Sequence, residues 1–385
     1  MAEVAAKALK LNVPLSAQID LTYRCNERCV HCYLDHDDHG EMNTAEIKDL
    51  LDQMADAGVF YLNLSGGEIM MRRDFFEILE HARLRTFCVK LKTNAVLIRK
   101  KEAQRLRALG VESIQISVYS HRAEVHDAIT KMPGSFRQSM EAARLLKAEG
   151  LNVTFANVLM TENAADYQGV RALAAELGIK CSLDPTVTPM MDGDRSVLQL
   201  NVDRSKLREV FRDEALVGNV EEYCAPPTSV DESALDMLPC SAGHTACYVS
   251  PYGDVYPCVQ FPLPCGNVRQ TKFADIWRDS PQMNEVRSIT LRDMPSCSQC
   301  AHGATCTRCP GLAYLEGNMR GPSIQDCEKS YARTGIPSEN FKRKNAAPAQ
   351  PSLASLNLVQ IQGIQPPPRN LAAAVPMAAS SSLGA

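Results

Sequence analysis

The sequence predicts an α/β fold: a partial (β/α)6 barrel, then a small cysteine-rich domain and a disordered C-terminal tail. Three observations predict it. Apolar strands alternate with amphipathic helices closed by glycine between Ser16 and Asp184, at a repeat of roughly thirty residues. Cysteines crowd the chain from Cys240 to Cys327. From Phe341 onward Ala, Pro, Ser and Gln dominate, with Pro366-Pro367-Pro368 among them, a composition that does not build a core.

Residues 1–15 read as a lead-in. Ser16 to Tyr23 alternates apolar and polar residues, a strand that ends at Cys25. Asn43 caps the next helix with Glu46 as its capping-box partner, and Ile47, Leu50, Leu51 and Met54 form its apolar face. Phe60 to Leu64 is a strand ending in Ser65-Gly66-Gly67-Glu68, followed by a helix through Phe75, Phe76 and Leu79. Phe87 to Lys92 is a strand ending at Thr93-Asn94, and Lys100 to Leu109 a helix closed by Gly110. Strand Ser113 to Tyr119 precedes helix Ser135 to Glu149; strand Val153 to Met160 precedes helix Ala164 to Leu177. Lys180 to Leu183 is the sixth strand, ending at Asp184-Pro185. The barrel therefore covers 16–186, a connecting region with one helix (Arg204 to Glu214) covers 187–239, the cysteine-rich domain 240–335 and the tail 341–385. In a parallel sheet, ligands gather at the C-terminal ends of strands. The cysteine loop, Ser65–Glu68, Thr93-Asn94 and Tyr119-Ser120 all fall there.

The 385 residues suit two domains, and 45% hydrophobic content suffices for a large core. A net charge of −4 provides no basic field for nucleic acid. The N-terminus lacks a basic segment followed by an apolar one, and no apolar run is long enough to span a membrane. Thiol-rich and without an export signal, the chain is expected in the reducing cytoplasm, where thiols ligate metal instead of pairing.

Cys25, Cys29 and Cys32 place three soft ligands in one short loop, one fewer than an iron–sulfur cube or a structural zinc takes. A cube held by three thiolates keeps one iron open. A zinc knuckle completed by His31, His36 or His39 is the competing reading. The segment Cys-Asn-Glu-Arg-Cys-Val-His-Cys-Tyr resembles the cluster motif of the radical S-adenosylmethionine (SAM) enzymes. That resemblance implies a [4Fe–4S] cluster on these cysteines, SAM on its open iron, and reductive cleavage to a 5′-deoxyadenosyl radical. It further implies that Ser65, Gly66, Gly67 and Glu68 meet the methionine end of SAM, with Glu68 facing its amino group and glycines letting the backbone approach. Thr93-Asn94 resembles the family's Thr-Asn-Gly with Ala95 in place of glycine, and Ile69 replaces the usual proline. Tyr33 stands where the family places an aromatic near adenine, and Ser117 and Asn157 are inward candidates for ribose and carboxylate.

Cys240, Gly253-x4-Cys258, Cys297-x2-Cys300-x5-Cys306-x2-Cys309 and Cys327 resemble the SPASM domain, with two residues where the family has three before Cys309. The resemblance implies two auxiliary iron–sulfur clusters, on Cys240, Cys247, Cys258 and Cys309 and on Cys297, Cys300, Cys306 and Cys327. Two zinc-ribbon sites are the alternative. Cys265 is an additional thiol that could replace a ligand; Cys88, Cys181 and Cys224 read as buried small apolar residues, and Trp277 as a packing anchor.

This architecture implies a radical SAM oxidoreductase that modifies a ribosomally made precursor peptide, or else a tetrapyrrole side chain; an electron-transfer protein would leave the Gly-Gly-Glu segment without a use. In sulfatase-maturating relatives an aspartate base follows the cysteine of Gly-x4-Cys; Val259 occupies that position and cannot accept a proton. No catalytic base is assignable, with Asp254, Tyr256 and His244 as nearby candidates. The residues before the first strand are too few for a folded leader-binding domain, so a separate small protein is expected to present the peptide. A flavodoxin or ferredoxin would supply low-potential electrons.

Overall fold

The computed structural model describes residues 2–346. Its core is one nine-stranded sheet in the order β6-β5-β4-β3-β2-β1-β7-β8-β9. Strands β1 (Ser16–Asp20), β2 (Tyr61–Ser65), β3 (Cys88–Thr93), β4 (Ser113–Ser117), β5 (Val153–Val158) and β6 (Lys180–Asp184) are parallel, each joined to the next through helices outside the sheet. This is the partial barrel that the sequence pattern predicts. Period-two alternation sorts the strand side chains. Ile19, Leu64, Leu91, Ile116 and Phe155 pack outward against Leu50, Leu79, Leu106 and Leu146 of the helices. Gln18, Lys92, Gln115 and Ser117 point into the barrel. A closed (β/α)8 barrel fills its centre with branched apolar residues; here the centre is polar and holds a cavity.

The cysteine-rich region extends this sheet, a continuity that the division into two domains did not anticipate. β7 (Ala246–Val249) pairs in parallel with Ser16–Ile19, so β1 presents no open edge, and β8 (Asp254–Tyr256) and β9 (Gly266–Asn267) continue antiparallel. Trp277 locks the junction from outside: it stacks on Phe273, and its Nε1 donates to Asn12 O at 2.6 Å.

Several segments differ from expectation. The lead-in contains a helix, Ala2–Leu11, built from alanine, leucine and lysine, which favour helices. A further helix, Ala123–Thr130, precedes the one at Ser135–Ala148; Asp127 joins the two by accepting from Ser135 Oγ and Phe136 N at 2.9 Å each. The connecting region has three short helices, Arg204–Val210, Glu214–Val217 and Val220–Tyr223. Cys88, Cys181 and Cys224 are half-buried instead of buried. Glu339–Ala346 is helical, with Phe341 edge-on to Tyr331, so the expected tail begins within a helix; its remainder lies outside the described residues. Among the described residues no helix is long and apolar enough to cross a membrane.

Candidate active site

The loop after β1 is stitched to the loop after β2. Leu21 N donates to Ser65 O, Gly67 N to Thr22 O and Glu68 N to Arg24 O, at 2.8–2.9 Å. This contact explains both glycines. A Cβ on Gly66 would sit 2.2 Å from Thr22 O, and one on Gly67 2.4 Å from Arg24 O. Their smallness serves the approach of two backbones, where the sequence reading had assigned it to a ligand. With the Gly67 and Glu68 amides engaged, carbonyl oxygens are what the segment can offer an ammonium group.

Glu68 also departs from expectation. It is fully buried, and its carboxylate accepts from Met70 N (2.9 Å), Thr93 Oγ1 (2.8 Å) and Asn94 N (2.8 Å). A carboxylate so occupied holds the Thr93-Asn94 turn in place and does not line the cavity. The turn continues into Ala95, buried with φ +63°, the left-handed conformation that glycine adopts without cost.

A cavity of about 390 Å³ opens at the C-terminal ends of the strands. Cys25, Cys29, Cys32, Tyr33, Ser65, Gly66, Gly67, Thr93, Asn94, Ser117 and Asn157 all line it. Sequence reasoning missed Gln18, Glu27, Lys92, Gln115, Asp184 and Gln260, and counted His31 only as a zinc ligand. The inward positions of the alternating strands were the available signal. Of the histidines considered for zinc, His31 and His36 line the cavity, whereas exposed His39 pairs with Asp35. None of the three base candidates reaches the cavity: Asp254 accepts from Asn267 Nδ2 (2.8 Å), Tyr256 packs on Tyr248, and His244 lies beside Arg287. β8 carries Asp254 and Tyr256 away, while Val259 and Gln260 turn back into the lining.

Burial dominates the electrostatics. It pushes the Cys25 thiol up to about 12 and raises Cys29 and Cys32 as well, so these thiols ionise only when a metal displaces the proton. Glu27, inside the cysteine loop, is pushed up to about 7 and accepts from the Cys29 thiol at 3.4 Å. Asp20, the last residue of β1, is pushed up to about 6 by burial, and bonds from Gln18 and Tyr248 only partly offset that. Lys92 is the one Lys or Arg among the described residues lining the cavity; its Nζ donates to Gln18 Oε1 at 2.9 Å.

The remaining cysteines gather in two places. Cys297, Cys300, Cys306 and Cys327 line a small, predominantly apolar cavity of about 50 Å³, the four thiols that the sequence grouped together. Cys240, Cys258 and Cys309 lie within electrostatic reach of one another, and Cys247 within reach of Cys258 and of Cys265. Cys265 thus stands beside Cys247 as an additional thiol near the first auxiliary set. Among the described residues no three His, Cys, Asp or Glu side chains converge as a single metal ion requires.

Unpartnered polar atoms mark the same three places. Among the described residues, Glu27 Oε1, His31 Nδ1, His36 Nδ1 and Asn157 Oδ1 are buried without a hydrogen bond, and all four residues line the large cavity. His302 Nδ1, His302 Nε2, Arg308 Nη1 and Asp326 Oδ1 (which has only its ion pair with Lys329) do the same at the four-cysteine cavity, and Arg287 Nη2 beside Cys247 and Cys265; Arg333 Nε is the exception, its residue lining a different pocket. Each such atom costs about 1–3 kcal/mol unless something binds it. Their clustering fits a polar ligand with a metal cluster at the first place and metal clusters at the other two.

The sequence profile of the Radical SAM superfamily matches residues 19–174, and that of an iron–sulfur cluster-binding domain, SPASM, matches residues 240–301. The chain is 29% identical over 345 residues to mycofactocin maturase MftC of Mycobacterium ulcerans, covering 86% of this chain and 92% of that protein. It is 28% identical over 326 residues to the AdoMet-dependent heme synthase of Methanosarcina barkeri, covering 79% and 93%. The crystal structure of Streptococcus suis SuiB bound to precursor peptide SuiA superimposes with a TM-score of 0.66 at 18% identity, over 85% of this chain and 79% of that one.

Proposed function

From a chain that belongs to the radical SAM superfamily and carries a SPASM iron–sulfur domain, we propose an enzyme that modifies a ribosomally made precursor peptide. The observation that carries this reading is the near full-length match to a mycofactocin maturase. The shape of the site supports it. β6 is the edge strand beside the cavity, and its Ser182 and Asp184 line that cavity. An open strand edge suits an extended peptide backbone.

In this proposal Cys25, Cys29 and Cys32 hold the cluster that binds SAM, and the two auxiliary sets, Cys240/Cys247/Cys258/Cys309 and Cys297/Cys300/Cys306/Cys327, hold one iron–sulfur cluster each. When bound and reduced, the first cluster and SAM supply a 5′-deoxyadenosyl radical that abstracts a hydrogen atom from the substrate. The protein's part is to position. Carbonyl oxygens of the Gly66-Gly67 segment receive the SAM ammonium, Ser117 and Asn157 serve its ribose and carboxylate, and Tyr33 packs by adenine. Glu68 acts one step back, holding Thr93-Asn94 against the cysteine loop, where Asn94 Nδ2 donates to Asn26 Oδ1 at 2.9 Å. Val259 lines the cavity where sulfatase-maturating relatives carry an aspartate base, so chemistry that removes a proton at that point is disfavoured. A separate leader-binding protein and a flavodoxin- or ferredoxin-type donor complete the proposal.

The test is anaerobic turnover with the peptide encoded by a short reading frame beside this gene, with and without any small companion protein encoded there. A mass change on the peptide supports the reading. The match to a heme synthase makes a porphyrin the necessary second substrate: its conversion with no peptide required would replace the peptide reading with the tetrapyrrole one.

A further inference from the structure

We propose that His302 and Arg308 donate hydrogen bonds to the cluster held by Cys297, Cys300, Cys306 and Cys327, and thereby raise its reduction potential. The inference rests on the assignment of an iron–sulfur cluster to that pocket. His302 is 2% exposed, lines the pocket and has neither ring nitrogen hydrogen-bonded. The Ile336 backbone comes near the ring but forms no well-aligned bond with it. A neutral imidazole always carries one N–H, so a buried donor is present whichever tautomer is populated. Arg308 is 9% exposed and lines the same pocket. Its Nε and Nη2 clamp the 319–321 turn, through Gly321 O at 2.8 and 2.6 Å and through Met319 O. Nη1 is left with no acceptor.

The protein offers these donors little else. Asp326, the acid lining the pocket, is already engaged: its Oδ2 accepts from Cys309 N at 2.8 Å, and its Oδ1 pairs with Lys329 Nζ at 2.7 Å. Ser323, Ser330, Ser338 and Asn340 also line the pocket, but none bonds His302 or Arg308 Nη1; that leaves the four thiols, and the Arg308 charge favours the thiolate of Cys297. A thiolate-ligated cluster supplies what is missing, sulfur acceptors bearing negative charge. Two donors, one of them cationic, stabilise the more negative, reduced state most, so they raise the potential. The residue pattern is local: Arg308 sits in the two-residue spacer before Cys309, and His302 two residues after Cys300.

The test is potentiometric EPR on the anaerobically reconstituted full-length holoenzyme. Cys300→Ala identifies the signal of this pocket by its loss. In His302→Leu and in Arg308→Lys the midpoint of that signal should move negative. At the wild-type midpoint the reduced-to-oxidised ratio should fall about tenfold, a shift of 59 mV for one electron. The signal of the Cys25/Cys29/Cys32 cluster and the formation of 5′-deoxyadenosine should not change. Should Arg308→Lys release the 319–321 turn and lose the cluster, His302→Leu decides alone, because its ring nitrogens form no well-aligned bond with the described chain. An intact signal with an unmoved midpoint in His302→Leu overturns the inference. Absence from the wild type of any signal that Cys300→Ala removes overturns the cluster assignment, and the inference with it.

Discussion

Two cysteine sites in one chain are built on opposite plans. The loop site has three thiols on a 390 Å³ cavity of mixed polar and apolar lining; the pocket against the helix Ile324–Thr334 has four thiols around about 50 Å³ of mostly apolar space. Three ligands and room would admit another molecule to a metal held there. Four ligands and little room would leave it no free position. The stray polar atoms agree: at the large site they belong to an acid, two histidines and an amide, a mixed set for a mixed ligand, whereas the small pocket presents nitrogens of His302 and Arg308 beside Asp326 Oδ1, which pairs with Lys329. Under the proposed function, reaction and electron storage would be separated by how many cysteines each site has and how much space surrounds them.

Mutating one thiol at each site would break this comparison most directly, with the largest effect. Cys29→Ala should abolish reductive SAM cleavage, read as 5′-deoxyadenosine, because the electron source is lost. Cys327→Ala should keep that cleavage and lose the modified product. Full product yield from Cys327→Ala would mean that the four-cysteine site is dispensable. Reconstituted wild type should hold about twelve irons, four for each cubane cluster; about four irons with zinc present would make the auxiliary sites zinc ribbons.

The next effect belongs to the open site alone. Gly67→Ala puts a methyl group 2.4 Å from Arg24 O and 2.6 Å from Tyr23 O, backbone atoms that cannot swing aside. The cysteine loop must shift, and a displacement near 1 Å costs roughly 10²-fold in rate. SAM cleavage should fall by about that factor while iron in the auxiliary sites is retained. Loss of all iron would show that the stitch between the two loops supports the whole fold.

What could be read from sequence follows the same division. Ligand type and spacing are local, so Cys25/Cys29/Cys32 were recognisable, whereas Cys327 joined Cys297, Cys300 and Cys306 only through the resemblance to the SPASM domain; the structure brings each group together. Glycine identity at 66 and 67 was visible, but its cause, a carbonyl from a loop some forty residues earlier, is tertiary. Lys92 and Gln115 were hidden because polar residues on an alternating strand read as a solvent face, and in an open barrel that face is the site. Asp254 and Tyr256 misled because closeness in sequence to Cys258 is not closeness to the cavity when a strand intervenes. β7 escaped because four residues, Ala-Cys-Tyr-Val, carry too short a pattern to separate from their cysteine-rich surroundings.

A third test asks whether openness costs stability. Asp20, fully buried at the end of β1 and bonded to the cavity-lining Gln18, has its pKa raised from the ordinary 3.8 to about 6 by burial. The folded state therefore binds this proton more tightly than the unfolded state. That stabilisation is complete below pH 3.8 and is lost as pH rises through 6, a difference of about 3 kcal/mol at most. Asp20→Asn removes the slope. It also removes one of two acceptor oxygens, those meeting Gln18 and Tyr248, for about 1 kcal/mol. The variant should be about 1–2 kcal/mol more stable than wild type at pH 8 and about 1 kcal/mol less stable at pH 4 in urea unfolding of the metal-free protein. Equal stability curves at both pH values would remove Asp20 as a cost of the open site.

The smallest effect is expected where the open site departs from its family's Thr-Asn-Gly. Ala95 holds φ +63° and is fully buried in the main core. Left-handed backbone costs a non-glycine residue about 1–2 kcal/mol. Replacing it with glycine recovers that cost, but glycine loses about 0.5–1 kcal/mol more chain entropy on folding. It also forfeits a buried methyl group, about 0.8 kcal/mol. The terms nearly cancel, which explains how alanine can stand there with the turn intact. Ala95→Gly should change unfolding free energy by less than about 1 kcal/mol in either direction and leave SAM cleavage within about twofold of wild type. A gain well above that would mean the turn beside Asn94 is held under strain that the rest of the site imposes. A comparable loss would mean that the Ala95 methyl, packed in the core, is what fixes Asn94 against the cysteine loop.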